Sequence, residues 1–286
     1  MSLSPDAVAA AFLAACRAEL DAAKPGNVHR HAGGHGMTAD TFEAAAAATA
    51  PWIARPDLRV GARILAATRA SWDAVGLNAN LGIVLLCAPL AAAAERPASG
   101  RSLRQAVTAV LATLDQQDTR DAFAAIALAT PGGLGEAGEH DVRSPPTIGL
   151  VAAMCLAADR DLVARQYAGG FREIFEIGLP AIAAAQAAGQ DDPETGAALA
   201  AYLAFAVAFP DSHIQRKFGL AEAESVRRRM AALADDLSRT PDRDERLAMA
   251  LRLDAELKHK GRNPGTSADL TVASLFARNL AEAQRE

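Results

Sequence analysis

Apolar positions recur with a helical step along most of the chain. Val8, Phe12, Cys16 and Leu20 follow one another at four-residue intervals and predict a first helix, with Ser4 as its N-cap and Pro5 in its first turn. A second helix is predicted to begin at Thr38, where Met37 and Phe42 are spaced as a hydrophobic staple around the cap. Further helical stretches cover 58–72, 81–94, 103–114, 120–129, 148–158, 170–187 and 194–209. Val226, Met230, Leu233 and Leu237 share one face of another, and 243–260 and 267–283 complete the set. No alternating segment argues for a strand, so the expected class is all-α: one multi-helix domain over residues 1–286, with a pocket formed by the loops between helices.

Composition narrows the function classes. Hydrophobic residues make up 51% of the 286 and charged residues 22%, enough apolar surface for a sizeable core and against disorder. The net charge of −5 and the lack of a basic stripe argue against a nucleic-acid partner. Three cysteines, widely spaced, make neither a disulfide framework nor a cysteine-type zinc site. The longest uncharged apolar run, 81–94, is shorter than the roughly 18 residues a membrane helix needs, and Pro89 interrupts it. With no secretory pattern at the N-terminus, the expectation is a cytoplasmic protein without a membrane partner. Assembly into a homo-oligomer stays open.

Proline, glycine and polar residues concentrate in five connections, 24–36, 76–80, 131–146, 210–217 and 261–269. Polar loops on a helical scaffold are where binding and catalysis concentrate. The first holds three of the six histidines, His29, His31 and His35, and allows a metal site, a solvated loop, or an anion cradle built from Lys24, Arg30 and backbone N–H groups. In the second, Asn78 or Asn80 can cap the following helix, leaving the other amide for a ligand. The third is glycine-rich and ends in Glu139, His140 and Asp141, a set suited to acid–base work or Mg²⁺. The fourth gathers Asp211, His213, Arg216 and Lys217; with no nucleophile elbow it is a poor Ser-His-Asp triad. The fifth, Asn263-Pro264-Gly265-Thr266-Ser267-Ala268-Asp269, reads as a helix cap that can also seat an anion.

Together these segments resemble the triphosphoribosyl-dephospho-CoA synthase family. The resemblance rests on Glu19 followed by Lys24-Pro25-Gly26-x-Val28, on Asn78-x-Asn80-Leu81-Gly82, and on Gly132-Gly133-Leu134-Gly135 with Asp141-Val142. It continues in Asp211-Ser212-His213-Ile214 with Arg216-Lys217, and in Asn263 to Leu270. The pieces occur in the family's order over nearly the whole chain. One position departs: Gly36 precedes Met37 where the family pattern has an Asp.

The resemblance implies an all-α pentosyltransferase that moves the 5-triphosphoribosyl group of ATP to the 2′-hydroxyl of 3′-dephospho-CoA and releases adenine, for prosthetic-group biosynthesis. Displacement at an anomeric carbon needs a group to take the hydroxyl proton, a donor to the leaving base and cations for the triphosphate. On that basis Lys24, Arg216 and Lys217 are assigned to phosphates, and Glu19, Asp141 and Asp211 to Mg²⁺ or to the general base. His140 or His213 is the proton donor to adenine, and Asn78, Asn80 and Asp269 orient sugar or base. Three alternatives stand beside this: ribosyl phosphate transfer to another sugar-alcohol acceptor in pterin-type one-carbon cofactor synthesis, a non-catalytic helical nucleotide-binding protein, and a metal-dependent hydrolase using the histidine-rich loop.

Overall fold

The computed structural model describes residues 2–96, 100–130, 142–189 and 192–285, and its regular structure there is helical, with only isolated bridges in the first connection. The first half runs α1 (Pro5–Asp21), α2 (Ala39–Ile53), α3 (Val60–Val75), α4 (Leu81–Ala94), α5 (Leu103–Leu111), α6 (Gln116–Ala129) and α7 (Leu150–Ala157). The second runs α8 (Leu162–Gly169), a π-helical turn (Ile174–Gly178), α9 (Leu179–Ala187), α10 (Pro193–Ala208), α11 (Ser212–Phe218), α12 (Leu220–Arg239), α13 (Arg243–His259) and α14 (Gly265–Ala283). The all-α expectation holds. No single helix among the described residues is long and apolar enough to cross a membrane.

Capping chemistry explains most helix starts. Ser4 Oγ accepts from Ala7 N, Thr38 and Ser102 form capping boxes, and Asp115 starts α6 four residues earlier than periodicity alone suggests, in a box with Asp118. Helix α3 runs on to Val75 and stops at Gly76, which is left-handed at φ 69°. The stretch expected as one helix over 170–187 is broken instead. Pro180 brings no N–H to the ladder, and the turn before it widens so that Leu179 N bonds Ile174 O.

Helices α4 and α14 form the centre. Nearly every residue of α4 is buried, as an apolar-all-round sequence requires. On α14 Phe276 meets Phe12 of α1 edge-on, ring centroids 5.8 Å apart. A smaller cluster, with Tyr202, Ile214, Val226, Met230 and Leu257, joins α10 to α14 beside it. Pro89 inside α4 supplies no N–H, which leaves the carbonyl of Leu85 without its helical donor. Tyr167 Oη on α8 donates to that carbonyl at 2.7 Å, so a proline defect becomes the point where α8 is tied to the central helix.

Tyr167→Phe should therefore strand a buried carbonyl and destabilise the protein by about 1–3 kcal/mol. Urea unfolding with an unchanged m-value checks this; an unchanged midpoint would show that the Leu85 carbonyl has another donor.

Candidate functional site

The connections converge on a cavity of about 290 Å³, near the lower end of the roughly 300–1,000 Å³ usual for ligand sites. Glu19 at the end of α1 and Asn27 and Met37 of the first connection line it, with Asn78 of the second. His213 and Arg216 come from α11, and Asn263, Thr266 and Asp269 from the fifth connection and the start of α14. Of the third connection Val142 reaches the wall; His140 and Asp141 lie outside the described residues. The lining also includes apolar side chains, Phe42, Phe123, Ile126, Met154 and a solvent-exposed Leu156.

Lys24 does not reach the cavity. Its ammonium is buried and donates to the carbonyls of Glu19 at 2.7 Å and Val28 at 2.8 Å, with Glu19 Oε1 at 3.0 Å. Three acceptors use its three hydrogens, so the phosphate role expected for Lys24 is replaced by one of positioning Glu19. Burial pushes the Glu19 carboxyl up and the Lys24 ammonium down, each opposed by the other's charge.

Asp211 is likewise committed. One oxygen accepts from the N–H groups of His213 and Ile214, and the other accepts from Ser267 N and Ser267 Oγ, both at 2.8 Å. It caps α11 and clamps it to the first turn of α14, in place of the metal or base role expected from sequence. Asn80 is buried with its amide on Thr49 Oγ1, while Asn78 Oδ1 accepts from Leu81 N at the start of α4. Lys217 is exposed and outside the lining.

Among the described residues no group of three or more His, Cys, Asp or Glu is placed to hold a metal ion. The histidines of the first connection do not gather around one either. His29 Nε2 is buried 3.3 Å from Asp254 Oδ2 and 3.4 Å from Lys258 Nζ, His35 Nε2 donates to the Gly26 carbonyl, and His31 is exposed. Gly36 has a conformational explanation. Gly34 and Met37 exchange hydrogen bonds around His35 and Gly36, whose φ values of 57° and 79° make a type I′ turn.

What the cavity does present is two arginines and a carboxyl that accepts no hydrogen bond among the described residues. Asp161, unremarked in the sequence, caps α8 with Oδ1 and holds Arg216 Nη1 at 2.5 Å with Oδ2. Arg216 Nε is buried without a partner. Arg160, also on the wall, makes no ion pair among the described residues. Asp269 sits so close to Gly82 that a Cβ there would fall 2.1 Å from its Oδ2, so only glycine permits this approach. Among the described residues nothing donates to that carboxyl, and burial, with Asp211, Glu19 and Asp161 nearby, pushes its pKa well up. Asp161-Leu162-Val163 has the spacing of an N-cap, the sequence signal that could have added Asp161 to Arg216 here.

His213 packs against Gly265, and burial, then Lys217, Arg216 and His35, push it down to about 3. At neutral pH the shift favours the uncharged imidazole, whose single N–H is then the donor it can offer. The unfolded chain, with a histidine near 6.5, binds the proton more readily. Stability is then complete above about pH 6.5 and is lost as pH falls towards 3, on the order of 1–2 kcal/mol by pH 5. Melting curves from pH 7 to 5 should show the decline, and His213→Gln should flatten it; an equal slope in the variant would contradict the assignment.

No curated protein matches the chain in sequence. A crystal structure from Archaeoglobus fulgidus, provisionally described as a triphosphoribosyl-dephospho-CoA synthase, matches with a TM-score of 0.62 at 24% identity, over 84% of this chain and 98% of that one. At that identity the likeness shows the fold. The family model for ATP:dephospho-CoA triphosphoribosyl transferase matches residues 5–286. A match of that extent leaves no wall of the cavity outside it, and the chain therefore belongs to the ATP:dephospho-CoA triphosphoribosyl transferase family of pentosyl transferases.

Proposed function

We propose that the cavity binds ATP and a dephospho-CoA-like acceptor and transfers the triphosphoribosyl group to the acceptor's hydroxyl, with release of adenine. The observation that carries this reading is the pairing, in one cavity, of a free carboxyl on Asp269 with the Arg160–Arg216 corner. Arg216, oriented by Asp161 through Nη1, offers its second amino group to phosphate oxygens, and Arg160 adds charge at the rim. Asp269 takes the acceptor hydroxyl's proton as the C1′–O bond forms and the C1′–N9 bond breaks. The departing purine takes up a proton from solvent on the opposite face of the ribose, and Asp269 returns its own to solvent, which closes the proton balance. Glu19, fixed by Lys24, faces the developing positive charge on the ribose. His140 and Asp141 remain with this proposal as further acid–base groups. Magnesium held by the triphosphate would supply charge neutralisation there.

Incubation with ATP and dephospho-CoA, read by chromatography, should give free adenine only when the acceptor is present. Release of phosphate instead, or of adenine without acceptor, would overturn the reading. Asp269→Asn should lower turnover by about 10²-fold or more, with the melting temperature nearly unchanged. Arg216→Ala should weaken ATP binding by about 10- to 150-fold, the worth of a charge-assisted contact. Equal losses of stability and binding in either variant would mark a structural role.

A further inference from the structure

Two asparagines on the cavity wall have no part in the chemistry above. Asn27 and Asn263 are 6% and 9% exposed, and Asn27 Nδ2 donates to Asn263 Oδ1 at 2.8 Å. A carboxamide has two donor hydrogens and an acceptor oxygen. Among the described residues neither side chain makes another hydrogen bond, yet both belong to the cavity lining. Buried amides are as a rule satisfied. This pair instead keeps an unused acceptor on Asn27 and an unused donor on Asn263, on side chains joined by one hydrogen bond. If both amides turned over together, one donor and one acceptor would still be left.

The frame around them is rigid. Asn27 N donates to the Lys24 carbonyl, Gly26 N donates to Asp254 Oδ1 at 2.8 Å, and Gly265 N closes a turn onto the Asn263 carbonyl. The connection that carries Asn27 also brings Met37 to the wall, and Phe42 follows in the next helix, giving apolar surface for a flat ring.

We propose that the Asn27–Asn263 amide pair reads the amino edge of a 6-aminopurine, and so selects the base of the nucleotide. Adenine carries an amino donor beside a ring-nitrogen acceptor, the pattern that a carboxamide donor and acceptor match. The cavity's arginines, Arg160 and Arg216, which suit phosphate better than an uncharged amide pair does, stand on α11 and the approach to α8. A site built around such hydrogen bonds rejects analogues that lack them far more strongly than an apolar pocket does. The inference rests on the reading that the cavity takes a nucleoside triphosphate.

Titration calorimetry of the full chain with ATP, inosine triphosphate and inorganic tripolyphosphate tests it. The unaltered protein should bind ATP at least about tenfold more tightly than inosine triphosphate. Asn263→Asp keeps the acceptor for Asn27 and replaces the free donor by an acceptor. It should weaken ATP about tenfold or more and leave tripolyphosphate within twofold. Where that variant does not fold, Asn27→Asp is titrated in the same way. Loss of ATP and tripolyphosphate in equal proportion would make the pair a structural tie and overturn the proposal, as would unchanged ATP affinity. Binding of neither ATP nor tripolyphosphate by the unaltered protein would overturn the nucleotide reading itself.

Discussion

A buried ammonium needs an acceptor for each of its hydrogens, and the first connection is shaped by meeting that need at Lys24. Taking such a charge out of water costs several kcal/mol unless partners surround it. The carbonyls of Glu19 and Val28 and the carboxylate of Glu19 surround it here, which folds the chain back across the end of α1. The rest of the loop follows. Tyr202 Oη donates to the Pro25 carbonyl at 2.6 Å, Asp254 accepts from Gly26 N, and Asn27 reaches Asn263. One segment is thereby tied to α10, α13 and the start of α14, with Glu19 turned to the cavity.

Burial decides which charges act on a ligand and which hold the frame. Asp211 and Asp161 are both helix caps, but every oxygen lone pair that matters on Asp211 faces a backbone or hydroxyl donor, while Asp161 spends one oxygen on α8 and the other on orienting Arg216. Ser212 Oγ accepts from Leu162 N, which ties the start of α8 to the start of α11 behind the arginines. Arg216 therefore stands on a short helix whose start is fixed by buried Asp211, while Asp269 and Glu19 stand on the long helices α14 and α1. That is the arrangement that gives a preorganised site.

The fold was legible wherever apolar periodicity was long. Helix α4 has the bounds that its apolar run predicts, and Thr38 caps α2 as its neighbours indicate. Helices α8 and α11, of eight and seven residues, were not legible, because so short a helix forms through its caps and tertiary contacts rather than propensity. The site was legible as a set of connections and less so as roles. Arg216, His213, Asn78, Glu19 and Asp269 do meet in one cavity, but a lysine before Pro-Gly looks the same in sequence whether its ammonium faces a phosphate or three internal acceptors. Asn27 and Asn263 were hidden for a related reason: their partnership spans the chain, and no local pattern records it.

Equilibrium unfolding of Lys24→Met, paired with tripolyphosphate titration, tests most directly whether this lysine builds the site or binds within it. Removing one partner of a buried, hydrogen-bonded pair should cost about 3–5 kcal/mol of stability. Tripolyphosphate affinity of the folded fraction should stay within twofold, since Arg160 and Arg216 remain in place. A variant of unchanged stability that had lost tripolyphosphate binding would place the Lys24 ammonium on the ligand and contradict the structural role assigned to it.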